Sequence, residues 1–155
     1  MLIIDKALGV LKTKEFIAMA TADKSGKPHS APKFLLKIEG GIIYFIDYSI
    51  GKTAENLKVN PDVSLSFIDV NSLVGYILNG KVEIIEKGKT YSDCVKEMAD
   101  KEIKLSVERV VKGVRDGQPY KEFELEIPER FLLYKVKIFE CCEISPRGEI
   151  QRESG

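Results

Sequence analysis

Short apolar segments separated by tight turns restrict most strongly what this chain can fold into. Apolar residues recur at strand-like spacing, and small or polar pairs such as Gly40-Gly41 and Asn71-Ser72 interrupt them. Such short turns join antiparallel neighbours, because parallel strands need a long crossover connection. We therefore expect a mostly β fold of six or seven antiparallel strands, closed or partly open as a barrel, with short flanking helices.

The predicted elements follow one order along the chain: a helix, three strands, a short helix, two strands, a helical segment and two closing strands. The strands are predicted at 15–22, 27–39, 42–46, 62–70, 73–86, 120–127 and 131–144, and the helices at 2–12, 52–59 and 90–114. Pro28 and Pro32 place the early part of the second strand at an edge or a bulge, because proline cannot donate to a sheet ladder. Gly80 predicts a bulge in the long fifth strand.

A chain of 155 residues is long enough for one domain with a single core. We expect this domain at 1–145, with a helical insert at 88–118 and a polar, loose tail at 146–155. The charged residues of the helical insert are interpreted as a solvated face: Lys96, Glu97, Asp100, Lys101 and Glu102.

Charge and composition argue against several classes of function. Lys plus Arg and Asp plus Glu both number 24, and this balance is not typical of a nucleic-acid binder. Neither a membrane-spanning apolar run nor a basic leader is found, so we expect a cytoplasmic protein. Cys94, Cys141 and Cys142 fit no zinc spacing, and His29 is the only histidine. Metal centres and Ser-His-Asp or Cys-His catalysis are therefore not expected.

The third predicted strand, 42–46, is apolar on both faces. One face lines the core, and the other must be covered by a helix or by a partner subunit. We predict a homodimer on this ground.

A polar segment, Asp47 to Asn56, follows that strand and leads into the short helix. The first turn of a helix leaves backbone N–H groups free and carries the positive end of the dipole. With Ser49, Lys52 and Thr53 at this place, the segment predicts a phosphate-type anion site. It is not a Walker A loop, which disfavours a nucleotide triphosphatase. The alternative is plain helix capping by a hydroxyl, with a solvated lysine.

A phosphate alone would be held weakly at such a helix start. A charge-assisted hydrogen bond contributes about 1.5–3 kcal/mol and the dipole about 0.3–1, whereas a micromolar ligand needs about 8. The ligand must therefore also bury an apolar or aromatic body. The strand at 42–46 and the proline-interrupted segment at 27–36 are the available surfaces, although the latter is equally typical of an ordinary kinked edge strand.

Three stretches of residues carry a more specific signal. Residues 20–29 hold a Gly-x-Pro turn, residues 33–45 hold the Gly40-Gly41 hairpin, and residues 51–65 hold a Lys-Thr-x-x-Asn helix start and an Asn-Pro-x-Val strand entry. Together they resemble the FMN-binding split-barrel family, which is related to pyridoxamine 5′-phosphate oxidase and the small bacterial FMN-binding proteins. The resemblance covers about half of the chain, residues 10–86.

This resemblance implies FMN as the cofactor and a homodimer with flavin in the subunit interface. Lys52 and Thr53 match phosphate-binding positions, and Asp47 and Tyr48 lie beside the ring or ribityl chain. The backbone of residues 30–33 borders the flavin ring. The full set of implied cofactor contacts is Ser30, Ala31, Pro32, Lys33, Asp47, Tyr48, Ser49, Lys52, Thr53 and Asn56. No catalytic residue is assigned.

Two departures from the family argue against pyridoxamine phosphate oxidation. The Ser-Arg-Lys phosphate signature reads Ser49-Ile50-Gly51-Lys52, without its arginine, and no C-terminal pyridoxal-phosphate-binding block is found. We expect an FMN-dependent oxidoreductase of the flavin reductase or oxidase type, with a small redox substrate and NADH or NADPH as a candidate donor. The alternatives are a non-enzymatic FMN carrier or redox sensor, a haem- or deazaflavin-binding split barrel, and an interaction module without a cofactor.

Overall fold

A computed structural model describes residues 1–48, 50–117 and 131–155. The helices are α1 (Ile3–Leu11), α2 (Lys52–Val59) and α3 (Lys89–Arg115). The strands are β1 (Phe16–Ala22), β2 (Pro28–Glu39), β3 (Ile42–Asp47), β4 (Asp62–Asp69), β5 (Val74–Ile85), β6 (Leu132–Ile144) and β7 (Ile150–Ser154). The strand predicted at 120–127 lies outside the described residues. None of the described helices combines the length and apolarity that crossing a bilayer requires.

The strands form one antiparallel sheet that closes on itself. Their order is β3-β2-β1-β4-β5-β6-β7, and an additional ladder between β3 and β6 closes the first six into a barrel. The seventh strand pairs with β6 outside this closure. The predicted mostly β, antiparallel barrel is confirmed.

Turn chemistry fixes the first two hairpins. The carboxylate of Asp23 accepts bonds from the backbone N–H groups of Ser25 and Lys27, each at 2.9 Å. Gly40 and Gly41 have φ of +60° and +78°. A type I′ turn needs positive φ at both central residues, which glycine adopts without steric cost.

The barrel core is built from the alternating residues of the strands, as the sequence pattern predicts. Met19, Phe45, Leu65, Leu78 and Val136 each have 0% of their surface exposed. The two short helices pack their apolar residues against this same core. Helix α2 lies against β1 and β2, which places its first turn beside the turn between these strands.

The outer face of β3 is covered by α3. Ile46 and Phe34 pack there against Cys94 and Met98 of the helix, together with Leu133 of β6. Of the two covers that the sequence allows for this strand, a helix or a partner subunit, the structure shows the helix. The two-sided apolar strand therefore no longer indicates a dimer.

The two predicted irregularities have different outcomes. The ladder between β5 and β6 shifts at Asn79/Gly80, which confirms the bulge, and a Cβ at Gly80 would lie 2.6 Å from the backbone oxygen of Lys137. In β2, Pro28 and Pro32 lie in a regular ladder with β1, and the register shift comes later, between Leu35 and Lys37. Within the described strands, residues 28–33 pair on one side only, as predicted for an edge.

The prediction of a loose C-terminal tail is wrong. Residues 150–154 form β7, which pairs with β6 from Glu140 to Ile144. The guanidinium of Arg152 also reaches the carboxylate of Glu140 at 2.9 Å. Composition did not reveal this strand because an outer strand keeps polar side chains and is held by backbone hydrogen bonds.

Candidate cofactor-binding site

No described side chain caps the start of α2. Gly51 is the residue before the helix, and the first backbone bond runs from the Glu55 N–H to the Gly51 oxygen at 3.0 Å. The N–H groups of the first turn therefore remain available to a ligand. The capping alternative predicts that Ser49 or Thr53 satisfies these groups. Ser49 lies outside the described residues, and Thr53 makes no such bond.

Lys52 and Thr53 are adjacent in sequence but differ in environment. The Lys52 side chain is 46% exposed and lies 3.9 Å from the Glu55 carboxylate, at the limit of an ion pair. Thr53 is 1% exposed, and its hydroxyl finds no hydrogen-bond partner among the described residues. A buried polar group without a partner costs about 1–3 kcal/mol, so this hydroxyl is suited to receive a polar ligand atom.

A cleft of about 330 Å³ lies between α2 and the turn that joins β1 to β2. The residues that line it are Asp23, Lys24, Ser25, Lys52, Glu55, Asn56 and Val59. The pKa of Asp23 is lowered, first by the Ser25 hydroxyl, then by the Lys27 amide, and to a smaller extent by Lys52. An anion in this cleft meets carboxylates as well as lysines, so it would depend on the helix N–H groups and not on charge alone.

Asn56 serves the fold as well as lining the cleft. It is 1% exposed, and its amide nitrogen donates to the Thr21 hydroxyl of β1 at 3.1 Å. This bond ties α2 to the barrel wall. The contact of Asn56 with a cofactor stays a prediction.

Lys33 and Asp47 meet in a buried polar cluster at the end of β3. The Asp47 carboxylate accepts bonds from the Lys33 ammonium at 2.8 Å and from the Tyr134 hydroxyl at 2.5 Å. Burial raises the pKa of Tyr134, and Asp47 raises it further, so this hydroxyl stays protonated and donates. Removing Lys33 or Asp47 alone would leave the other charge buried without its counter-ion. The two side chains thus face one another, and their predicted contact with a cofactor is untested.

Ser30, Ala31 and Pro32 lie on the stretch of β2 that pairs with β1 alone among the described strands. Ser30 and Pro32 are exposed and Ala31 is half-buried. No described strand therefore pairs with their second backbone edge, as the predicted role beside a flavin ring requires. That role stays a prediction.

The sequence interpretation missed the polar contacts that α3 makes with Tyr48 and with β2. The Tyr48 hydroxyl donates to the Glu102 carboxylate at 2.8 Å. The Lys101 ammonium donates to the backbone oxygens of Leu35 and Leu36, the latter at 2.9 Å. The prediction of a solvated face is wrong for Lys101 and Glu102, because long charged side chains can bury their stems and bond at the tip. The sequence signal for these contacts was the position of Lys101 and Glu102 beside the apolar stripe of the helix.

The family of the chain follows from a match to a family model. Residues 3–133 match the model described as pyridoxamine 5′-phosphate oxidase. The chain belongs to the pyridoxamine 5′-phosphate oxidase family. The match confirms the resemblance predicted at 10–86. It extends that resemblance to residue 3 at one end and to the first residues of β6 at the other.

Solved structures with the same fold include proteins with different stated ligands. A Clostridium acetobutylicum protein related to general stress protein 26 of B. subtilis has TM-score 0.64, 13% identity, and coverage of 97% of this chain and 93% of its own. A Nostoc punctiforme pyridoxamine 5′-phosphate oxidase-related, FMN-binding protein has TM-score 0.60, 15% identity, and coverage of 98% and 94%. HutZ, the haem storage protein of Vibrio cholerae, has TM-score 0.59, 14% identity, and coverage of 99% and 95%. No curated protein matches the chain significantly. At such identities these likenesses establish the fold alone.

Proposed function

We propose that this protein binds FMN with the phosphate at the start of α2 and acts as an FMN-dependent oxidoreductase. The observation that carries the proposal is the buried Thr53 hydroxyl, which lacks a partner among the described residues and sits beside exposed Lys52 at an uncapped helix start. A phosphate supplies an acceptor for the hydroxyl and a counter-charge for the lysine. Membership of the family supports FMN as the source of that phosphate.

The chain's own residues would bind and orient the cofactor. Lys52 and the first-turn N–H groups of α2 hold the phosphate, and the Thr53 hydroxyl donates to one of its oxygens. The edge of residues 28–33 with which no described strand pairs would offer backbone groups to the polar rim of the ring. FMN would supply the redox chemistry when bound.

A homodimer belongs to this proposal, on a surface different from β3. The outer face of β1 and β4 presents Phe16 and Ile68, which are 50% and 44% exposed, beside the small side chains of Ala18 and Ser66. Exposed apolar side chains grouped on one face of a sheet are typical of a protein interface. Sedimentation at micromolar concentration tests this, and a monomer would contradict it.

Haem is a second candidate ligand, because a haem storage protein shares the fold. His29 is the only histidine of the chain, and it lies half-buried on β2 opposite Thr21. It is therefore the only imidazole that can ligate a haem iron. A Soret band on adding haemin that His29→Ala abolishes would favour this candidate over FMN.

The absorption spectrum of the purified protein is the first test. Flavin bands, or tight binding of added FMN in a fluorescence titration, would support the proposal. Bleaching of the bound flavin by NADH or NADPH under argon would favour a reductase over a carrier. A colourless protein that binds no FMN would overturn it.

Two substitutions at the start of α2 test the phosphate site itself. Lys52→Ala is expected to weaken FMN by about 1.5–3 kcal/mol, or about 10- to 150-fold, because a charged hydrogen bond is lost. Thr53→Val is expected to weaken FMN while leaving the ligand-free fold as stable or more stable, since it removes an unpaired buried hydroxyl. Titration at low salt and urea unfolding measure the two effects.

Lys58→Ala is the matched control, because Lys58 is an exposed lysine in the last turn of the same helix. It should leave the affinity for FMN nearly unchanged. An equal loss from Lys52→Ala and Lys58→Ala would mean that general charge holds the ligand and not the start of α2.

A further inference from the structure

We propose that Glu102 of α3 is a positioning residue for the entry to α2, which we define as Tyr48, Ile50 and Gly51. It acts through the hydroxyl of Tyr48. Its effect on FMN binding rests on the proposed function. Its effect on the order of the α2 entry applies to the ligand-free protein as well.

The contact joins two distant parts of the chain at the place where the candidate site begins. Tyr48 follows β3 directly and precedes Lys52 by four positions. Its hydroxyl donates to Glu102 at 2.8 Å, and its ring lies 6.0 Å from the ring of Phe34. Burial raises the pKa of Tyr48, and the Glu102 carboxylate raises it further, so the hydroxyl keeps the proton that it donates.

Glu102 is held in place by the residue next to it. The Lys101 ammonium bonds to the backbone oxygens of Leu35 and Leu36, where the ladder of β2 shifts register. The same ammonium lies 5.2 Å from the centre of the Phe34 ring. Phe34 therefore contacts both Lys101 and Tyr48, which fixes α3 and the α2 entry against one strand. Such a fixed acceptor can restrict the α2 entry, whereas a freely moving surface carboxylate could not.

A second polar contact of α3 provides a matched control. Glu97 pairs with Lys37 of β2 at 2.9 Å, and its side chain is 44% exposed. This pair also joins α3 to β2, and its described polar contacts include neither Tyr48 nor α2. Glu97→Ala should therefore weaken helix docking slightly without changing the α2 entry.

Hydrogen exchange of the ligand-free protein is the decisive experiment. Tyr48→Phe and Glu102→Ala should each raise exchange at the Glu55 amide, whose N–H bonds to the Gly51 oxygen of the α2 entry, with β1 unchanged. Glu102→Gln should restore most of the protection, because its amide oxygen can still accept the Tyr48 bond. Unchanged exchange in Glu102→Ala, or the same increase in Glu97→Ala, would overturn the proposal.

FMN titration of the same variants adds a readout of coupling. Glu102→Ala is expected to weaken FMN roughly 5- to 10-fold, the order of one lost hydrogen bond. The double variant of Glu102→Ala and Tyr48→Phe should bind FMN no more weakly than Tyr48→Phe alone, because both substitutions remove the same hydrogen bond. Additive losses would contradict positioning through Tyr48. If the unchanged protein binds no FMN, the proposed function fails, and hydrogen exchange alone still decides the role of Glu102.

Discussion

The two apolar layers that meet at β3 are held together in different ways. The barrel core is formed by strands in continuous backbone ladders, and its side chains are almost entirely apolar. The layer beneath α3 is smaller, and the helix adds polar bonds to it from Lys101 and Glu102. The barrel thus fixes the architecture by backbone pairing, whereas α3 is placed by individual side chains that also reach the candidate site.

The two halves of α3 differ in how far their apolar side chains are buried. Cys94 and Met98 in its first half are 1% and 0% exposed, whereas Val107 and Val114 in its second half are 56% and 64% exposed. Burial of apolar surface contributes about 25 cal/mol per Å², so the first half supplies most of the docking energy of the helix. We expect the helix to open locally more readily than the barrel does.

Phe45→Ala is expected to have the largest effect on stability, because it opens a cavity in the closed barrel core. A buried Phe→Ala change costs about 3–5 kcal/mol, a large part of the ordinary stability of a domain. Urea unfolding followed by circular dichroism measures it. Phe139→Ala, at a phenylalanine 45% exposed on β6, is the matched control and should cost about 1 kcal/mol or less.

Met98→Ala tests the α3 layer and should cost about 2–3 kcal/mol, at the low end for a buried methionine, because a helix with solvent on its other side can shift into the gap. Hydrogen exchange should rise in α3 before it rises in the barrel. Val107→Ala, at an exposed position of the same helix, should leave stability nearly unchanged. A loss of protection in the barrel equal to that in α3 would show that the two layers unfold as one.

The barrel could be predicted because its rules are local. Alternation places Val63 and Leu65 inside, paired glycines specify the turn at Gly40 and Gly41, and an isolated glycine marks the bulge at Gly80. Each signal lies within a few residues of the feature that it specifies. The edge strand β7 was not predicted, because backbone hydrogen bonds hold it and its polar side chains show no strand pattern.

The candidate site could be predicted only in part. The helix start at Lys52 has a local pattern, and the structure places it as expected. The bonds of Tyr48 to Glu102 and of Asp47 to Tyr134 join positions 54 and 87 residues apart, so no spacing rule indicates them. Whether a charged residue is solvated or bonded depends on which strand the helix meets, and that is a property of the assembled fold.

The cysteines give the smallest and most local test of the difference between the two layers. Cys141 lies in the barrel core and Cys94 on the buried face of α3, and both are 1% exposed. Burial raises the pKa of both thiols, that of Cys141 to about 11 from an ordinary 9.0. In variants that retain one of the two and no other cysteine, a thiol reagent at pH 8 should label Cys94 faster, because opening of α3 exposes it without unfolding the barrel.

The raised pKa of Cys141 also sets the sign of a pH effect. Between about pH 9 and pH 11 the unfolded thiol loses its proton while the folded one keeps it, so the contribution of this group to stability falls as the pH rises. Cys141→Ser should flatten this part of the stability profile, measured by urea unfolding from pH 8 to 11, and Cys94→Ser serves as the comparison. Equal labelling of Cys94 and Cys141 at pH 8 would mean that α3 and the barrel open together, and the separation of the two layers would then be wrong.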